Sequence, residues 1–260
     1  MPGLTASADR KALAMSRRSL TLAAGFGLAL LTAGALTACA TPGVIGPGSG
    51  TAATPSGSAN GSAEWEIDAA WLDNGRMIGV VTEGSSTCIP TAGEATYAGG
   101  VLEVEFTEPP ADTACTRDLV PRVTLVGVPE GVDPTQELEV RVTGDGYHGD
   151  TDLDGVEGLD PSGETDYLPT AGWTDDDGRF VILTWGSSTC VPVVESATAA
   201  GTEVTVTFAT PPADQVCTMD MAPRGTLVQV DGLDDDSGVF AILTGGAEFD
   251  NIRIPIVGND

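Results

Sequence analysis

A serine held in a glycine turn is one way for a chain to present a nucleophile. The pentapeptide Gly-Ser-Ser-Thr-Cys stands twice in this sequence, at 84–88 and 186–190, each time followed by one residue and a proline, Pro90 or Pro192. A serine nucleophile needs an adjacent base and a third group that orients the base. Beyond residue 38 the chain has a single histidine, His148, which lies between the two copies, and it has no lysine. One histidine cannot serve two serines. The glycine spacing is also not that of a G-x-S-x-G elbow, and no helical pattern follows it. The other reading is a corner: the hydroxyls bond turn amides, the cysteine pins the turn, and the proline keeps the strand from continuing. This reading names no catalytic residue.

Carboxylates are the second chemical resource. Asp150, Asp152 and Asp154 precede Gly155 as D-x-D-x-D-G. Alternate carboxylates of one tight loop converge on a hard cation, with glycine allowing the turn. The twelfth position of such a loop carries Pro161 where a glutamate is needed, and helical flanks are missing. Two readings stand: a weak Ca²⁺ site, or a solvated acidic linker over 147–166. No other cofactor is implied. Asp118 with Arg122, and Asp220 with Arg224, recur four apart around a proline. They read as a turn cap plus a surface ion pair. Acid pairs also serve glycoside hydrolysis, which needs two carboxyls across a cleft and a surface for sugar stacking. Acids stand throughout residues 64–260 and aromatics are few.

The elements that hold these groups are written twice. Laying Trp71 on Trp173, an offset of 102, brings the two pentapeptides together. The same offset lays Phe106 on Phe208, Pro109–Thr116 on Pro211–Thr218, and Asp118, Pro121 and Arg122 on Asp220, Pro223 and Arg224. Such density marks a tandem duplication. Leu102, Val104 and Phe106 alternate with Glu103 and Glu105, and Val204, Val206 and Phe208 alternate likewise, which is the period of a half-buried strand. Leu138, Val140 and Val142 repeat the pattern, and Arg179–Trp185 is apolar on both faces, as an interior strand is. A short helical turn is expected over 114–119 and over 216–221. The expected fold is all-β: two tandem small antiparallel β-sandwich or barrel-like domains, repeat 1 over 64–146 and repeat 2 over 167–260.

The cysteines follow the duplication. Apart from Cys39 there are four, Cys88, Cys115, Cys190 and Cys217. Each repeat holds one pair at the same separation, so each should close its own bridge, Cys88–Cys115 and Cys190–Cys217. Free thiols binding metal would need histidines or short C-x-x-C spacing.

Residues 1–38 have the build of an export signal: Arg10, Lys11, Arg17 and Arg18, then an apolar run from Leu20 ending in Leu36-Thr37-Ala38 before Cys39. The tetrapeptide Leu36–Cys39 resembles the lipobox of bacterial lipoproteins. That resemblance implies cleavage before Cys39 and a lipid on its sulfur. Ser16-Arg17-Arg18 partly resembles a twin-arginine signal, and Sec export stands beside it. Residues 39–63 then form the lipidated cysteine and a Gly/Ser/Ala/Pro/Thr tether reaching about 27 Å. The two stretches running from GSSTC-x-P to CTxDxxPR resemble a disulfide repeat of exported actinobacterial lipoproteins of uncharacterised function. The likeness agrees with the location and the bridges and carries over no catalytic or ligand residue. One departure is Glu83 in the first copy where the second has Trp185.

Location and partners follow as expectations. Lipid on Cys39 places the protein at the outer face of the cytoplasmic membrane, exported and anchored. The formal net charge of −27 repels nucleic acid and acidic lipid and suits a basic protein or another envelope component. The expected function is a non-catalytic, surface-anchored binding or envelope-structural module of unknown ligand. The alternative is a cell-envelope carbohydrate hydrolase.

Overall fold

The computed structural model describes residues 65–233 and 238–258. The signal 1–38, Cys39 and the tether to residue 63 lie outside the described residues. Fifteen strands carry the fold: β1 Ile67–Leu72, β2 Met77–Gly84, β3 Thr91–Ala92, β4 Thr96–Ala98, β5 Val101–Thr107, β6 Val120–Gly127, β7 Leu138–Gly144, β8 Tyr147–Leu153, β9 Thr170–Trp173, β10 Arg179–Gly186, β11 Val194–Ala200, β12 Glu203–Phe208, β13 Ala222–Gln229, β14 Phe240–Gly245 and β15 Phe249–Val257. The one helical piece among the described residues is a 3-10 turn, Asp73–Gly75. The turns expected at 114–119 and 216–221 are irregular instead. Each contains the cysteine that closes its repeat's bridge.

The fold is all-β with mixed pairing. In repeat 2 one seven-stranded sheet runs β11-β12-β14-β15-β9-β10-β13, with β12–β14 and β15–β9 parallel and the rest antiparallel. Repeat 1 carries the same order in two sheets, β3-β5-β7-β8 with β4 beside β5, and β1-β2-β6. They meet where the Trp65 amide donates to the His148 carbonyl at 2.8 Å. Each sheet curls around its own core. Leu102, Val104, Phe106, Val140 and Val142 fill the first and Val204, Val206, Phe208, Ala241 and Leu243 the second. The period-two residues therefore face inward as their spacing predicts.

The repeats are not strung on a flexible joint. Alternate residues of β1 divide between two environments: Ile67, Ala69 and Trp71 enter the first core, whereas Ala70 and Leu72 join Val81, Val123, Val181 and Leu183 in a third buried cluster. That cluster joins the two repeats face to face within one compact unit, Gly57–Asp260. Glycines make room for it: a Cβ on Gly79 would stand 3.0 Å from Val181, and one on Gly225 would stand 2.9 Å from Val123. The contact is nearly two-fold. Asp73 N donates to Thr170 Oγ1 at 3.0 Å, and Asp175 N donates to Asp68 Oδ1 at 3.0 Å, the same pair of positions with the repeats exchanged.

The acidic stretch 147–166 is also not a linker. Tyr147–Leu153 is β8, hydrogen-bonded to β7 along its length. The segment after β8 is fastened to repeat 1: Trp71 Nε1 donates to Asp154 O, Val156 N to Pro134 O and Asn74 Nδ2 to Asp160 O. Asp150 and Asp152 are exposed on β8 and alternate with Thr151 and Leu153, so the first two carboxylates of D-x-D-x-D lie on the wet face of a strand and Asp154 follows just past its end. A strand spreads alternate carboxylates along its length, whereas a calcium loop folds them toward one point. Among the described residues no three His, Cys, Asp or Glu gather as a metal would need.

Candidate functional site

Both pentapeptides sit at the ends of interior strands, where β2 and β10 leave their sheets. The turn is closed by Cys88 N donating to Ser85 O at 3.4 Å and Cys190 N to Ser187 O at 3.2 Å. The hydroxyls face one another across the corner. Thr116 Oγ1 lies 2.8 Å from Ser85 Oγ, 3.2 Å from Ser86 Oγ and 3.3 Å from Thr87 Oγ1. Thr218 Oγ1 meets Ser187, Ser188 and Thr189 at 2.8, 3.3 and 3.4 Å. The bridges are Cys88–Cys115 and Cys190–Cys217, with Cα separations of 5.5 and 5.6 Å. His148 stands on β8 with its Nδ1 3.0 Å from the Tyr147 carbonyl. Each serine hydroxyl is thus engaged by a threonine of the facing segment.

The acid and the arginine of each repeat part company, and the surface ion pair expected between them does not form. Asp118 caps the corner by accepting from Ser86 N at 3.2 Å, and Asp220 accepts from Ser188 N at 3.1 Å and from the Thr218 hydroxyl. Bonds from Ser86 and Thr116 hold the Asp118 carboxyl down at about 2, and Ser188 and Thr218 do the same for Asp220. The arginines turn the other way, because Arg122 and Arg224 lie on β6 and β13 and face inward there. Arg224 is only 2% exposed. It donates to Cys190 O at 2.9 Å, to Trp185 O at 3.1 Å and to Glu248 Oε2 at 2.7 Å. Arg122 donates to Cys88 O, to Ser85 O at 3.3 Å, to Glu108 Oε1 at 3.1 Å and to the Tyr147 hydroxyl.

This buried strut explains the glycine of the motif. A Cβ on Gly186 would stand 2.7 Å from Arg224 Cζ, and one on Gly84 would strike the guanidinium of Arg122. Neither glycine has a positive φ, so the demand is for space rather than for an unusual backbone. The counter-carboxylates come from unrelated places. Glu108 follows β5, whereas Glu248 sits in the β14–β15 turn, which is one residue longer than the β7–β8 turn. In repeat 1 Tyr147 completes the group by donating to Glu108, and burial, reinforced by that bond, pushes its hydroxyl up to about 12. Sequence reading missed these partners, since a glutamate far along the chain leaves no local pattern. The available signal was the double occurrence of a glycine and of a Pro-Arg at the same offset.

The corners differ where they meet solvent. Ala114, Arg117 and Leu119 of the first tip are replaced by Val216, Met219 and Met221 of the second. Val193, Val216, Met219 and Met221 are all strongly exposed, and Met219 is wholly so. Beside them a cavity of about 250 Å³ opens between Val191, Val193, Pro211, Pro212 and Gln215. Trp185 is half-buried against the inter-repeat cluster, edge-to-face with Tyr167 at 5.0 Å between ring centres. No helix among the described residues is long and apolar enough to cross a membrane. No protein-family model matches the chain, and no curated protein or solved structure shows significant similarity to it.

Proposed function

We propose that the protein is a non-catalytic binding module held at the outer face of the cytoplasmic membrane by lipid on Cys39. The observation that carries the binding role is the divergence of the two tips on a scaffold built alike. The bridge, the capping aspartate and the buried arginine occur in both repeats, while the second corner exposes Val193, Val216 and Met219 where the first has Thr91, Ala114 and Arg117. Exposed apolar side chains grouped on a rigid surface mark a place of association. Two disulfides agree with an exported location. The occupied hydroxyls of both corners support a structural role for the serines.

Two measurements test this. Fractionation of cells carrying Cys39→Ser should find the protein released from the membrane, and an unmodified Cys39 in the mature wild type removes the anchor. Cross-linking in intact cells should give a discrete product with the wild type that is lost in the Val216→Ser, Met219→Ser variant. An unchanged product in that variant removes the second tip as the contact face.

A further inference from the structure

Where the β1–β2 end of repeat 1 meets the β9–β10 turn of repeat 2 there is a cavity of about 230 Å³, far from neutral in its lining: Glu66, Asp68, Glu83 and Asp176 face a single cation, Arg179. The alternation of the strands places these groups. Ile67 and Ala69 point into the first core, so Glu66 and Asp68 stand on the inter-repeat side. Val81 belongs to the inter-repeat cluster, so Glu83 stands on that side of β2. Arg179 is committed to Asp176 and to Gln229 Oε1 at 3.3 Å. Among the described residues the other three carboxylates have no countercharge.

One of them is nearly enclosed. Asp68 is 9% exposed, and its Oδ1 accepts from Ala69 N at 2.7 Å and Asp175 N at 3.0 Å. Its Oδ2 is buried and has no partner among the described residues. A buried carboxylate oxygen without a donor is costly and calls for a ligand that donates. The negative field extends past the cavity: the adjacent Asp175 carboxyl is held above the usual carboxylate range, by burial first and then by Asp68, Asp154, Asp176 and Asp152.

The spacing of the acceptors selects the kind of cation. A bare metal ion needs several oxygens about 2.3–2.6 Å from one point, and no such group gathers among the described residues. The volume equals roughly seven or eight waters at about 30 Å³ each, which is room for a charged head and several methylenes. An ammonium or guanidinium carries three to five donors on diverging vectors, and its alkyl stem finds Val81 in the same lining. We propose that this cleft binds an organic cation, a primary ammonium or guanidinium on an alkyl stem, of the kind carried by a basic side chain of a partner or by a free polyamine. The proposal rests on the reading of the chain as a binding module and gives that module a ligand chemistry.

The test is calorimetric titration of the full chain in detergent with pentane-1,5-diamine and, in a second arm, with a lysine blocked at both ends. Saturable one-site binding, weakening as salt rises, is expected, with the tighter arm identifying the free or the protein-borne source. Glu83→Gln, a change at a partly exposed position that leaves the buried contacts intact, should weaken binding about tenfold. Asp68→Asn, which keeps an oxygen for the Asp175 amide, should weaken it at least as much. Absence of saturable binding, equal binding of pentan-1-ol, an unaffected Glu83→Gln variant, or preferential binding of Ca²⁺ would each overturn the proposal. Loss of cross-linking in the Val216→Ser, Met219→Ser variant alongside a silent titration would remove this cleft and leave the binding module standing.

Discussion

Replacing Gly186 by alanine puts one carbon into the space of a guanidinium that has nowhere to retreat. The new Cβ would lie 2.7 Å from Arg224 Cζ and 2.8 and 2.9 Å from its two terminal nitrogens, all closer than real Cβ contacts come. Relieving the overlap means moving a buried cation off Cys190 O and Trp185 O. Overpacking of this kind costs about 1–3 kcal/mol. For a chain of this size that is a fall in Tm of about 2–4 °C per kcal/mol. Arg224→Met takes away the cation and orphans the two carbonyls, at about 1–3 kcal/mol each. It adds little at Glu248, which is 47% exposed on its side chain and can hydrate. The informative measurement is the double variant. In the Arg224→Met background the overlap is gone, so the Gly186→Ala step should fall to near zero or turn slightly stabilising, since alanine restricts the unfolded chain. Urea unfolding of the four proteins of this cycle should therefore show a coupling of about 1–3 kcal/mol. Additive effects within about 0.5 kcal/mol would refute the claim that the motif glycine exists to seat the arginine.

Other outcomes rest on the same geometry. Converting Cys190 and Cys217 together to alanine should cost about 3.5 kcal/mol in the loop-entropy account, for a bridge spanning a separation of 27, and an unchanged urea midpoint would contradict it. The carboxyls of Asp118 and Asp220 lie below their unfolded value, so their contribution to stability is complete above about pH 4 and is lost as pH falls through about 2. Carbon-detected titration of the two side chains should find both near 2, and values near 3.8 would show that the corner bonds do not persist in solution. Leu183→Ala, in the fully buried inter-repeat cluster, should cost about 2–5 kcal/mol. Circular dichroism and tryptophan fluorescence of the wild type should report one shared unfolding transition, and two resolved transitions would show that the repeats are thermodynamically separate.

The strands and the bridges were open to reading because both rest on spacing. A period of two at Leu102–Phe106 needs no knowledge of what the strand packs against, and a duplicated cysteine pair needs only the offset. The site was harder because its partners are joined by packing. Asp118 and Arg122 stand four apart and look like a pair, yet Pro121 and Arg122 already belong to β6, where Arg122 faces inward. Asp150, Asp152 and Asp154 looked like a loop because carboxylates at alternate positions suit a cation and a wet strand face equally. Only the pairing of Arg141 with Asp150 and Glu139 with Asp152 distinguishes them. The inter-repeat face was invisible for another reason: Ala70, Leu72, Val81 and Val181 look like ordinary core residues, and sequence does not say which of two cores an alternating residue enters.

The nearly two-fold contact between the repeats has a consequence for how the protein can change. Two free copies meeting through six buried side chains and a matched pair of hydrogen bonds from backbone amides would depend on dilution. Carried on one chain, with residues 154–169 fastened along the first repeat, the same face works at an effective concentration of millimolar order or above. Concatenation therefore frees the halves from having to remain identical. A homodimer must accept every substitution twice, on both sides of its axis. Here Glu83 can stand where the other half has Trp185, and one tip can carry Val216 and Met219 where its counterpart has Ala114 and Arg117, without any change having to suit its own mirror image.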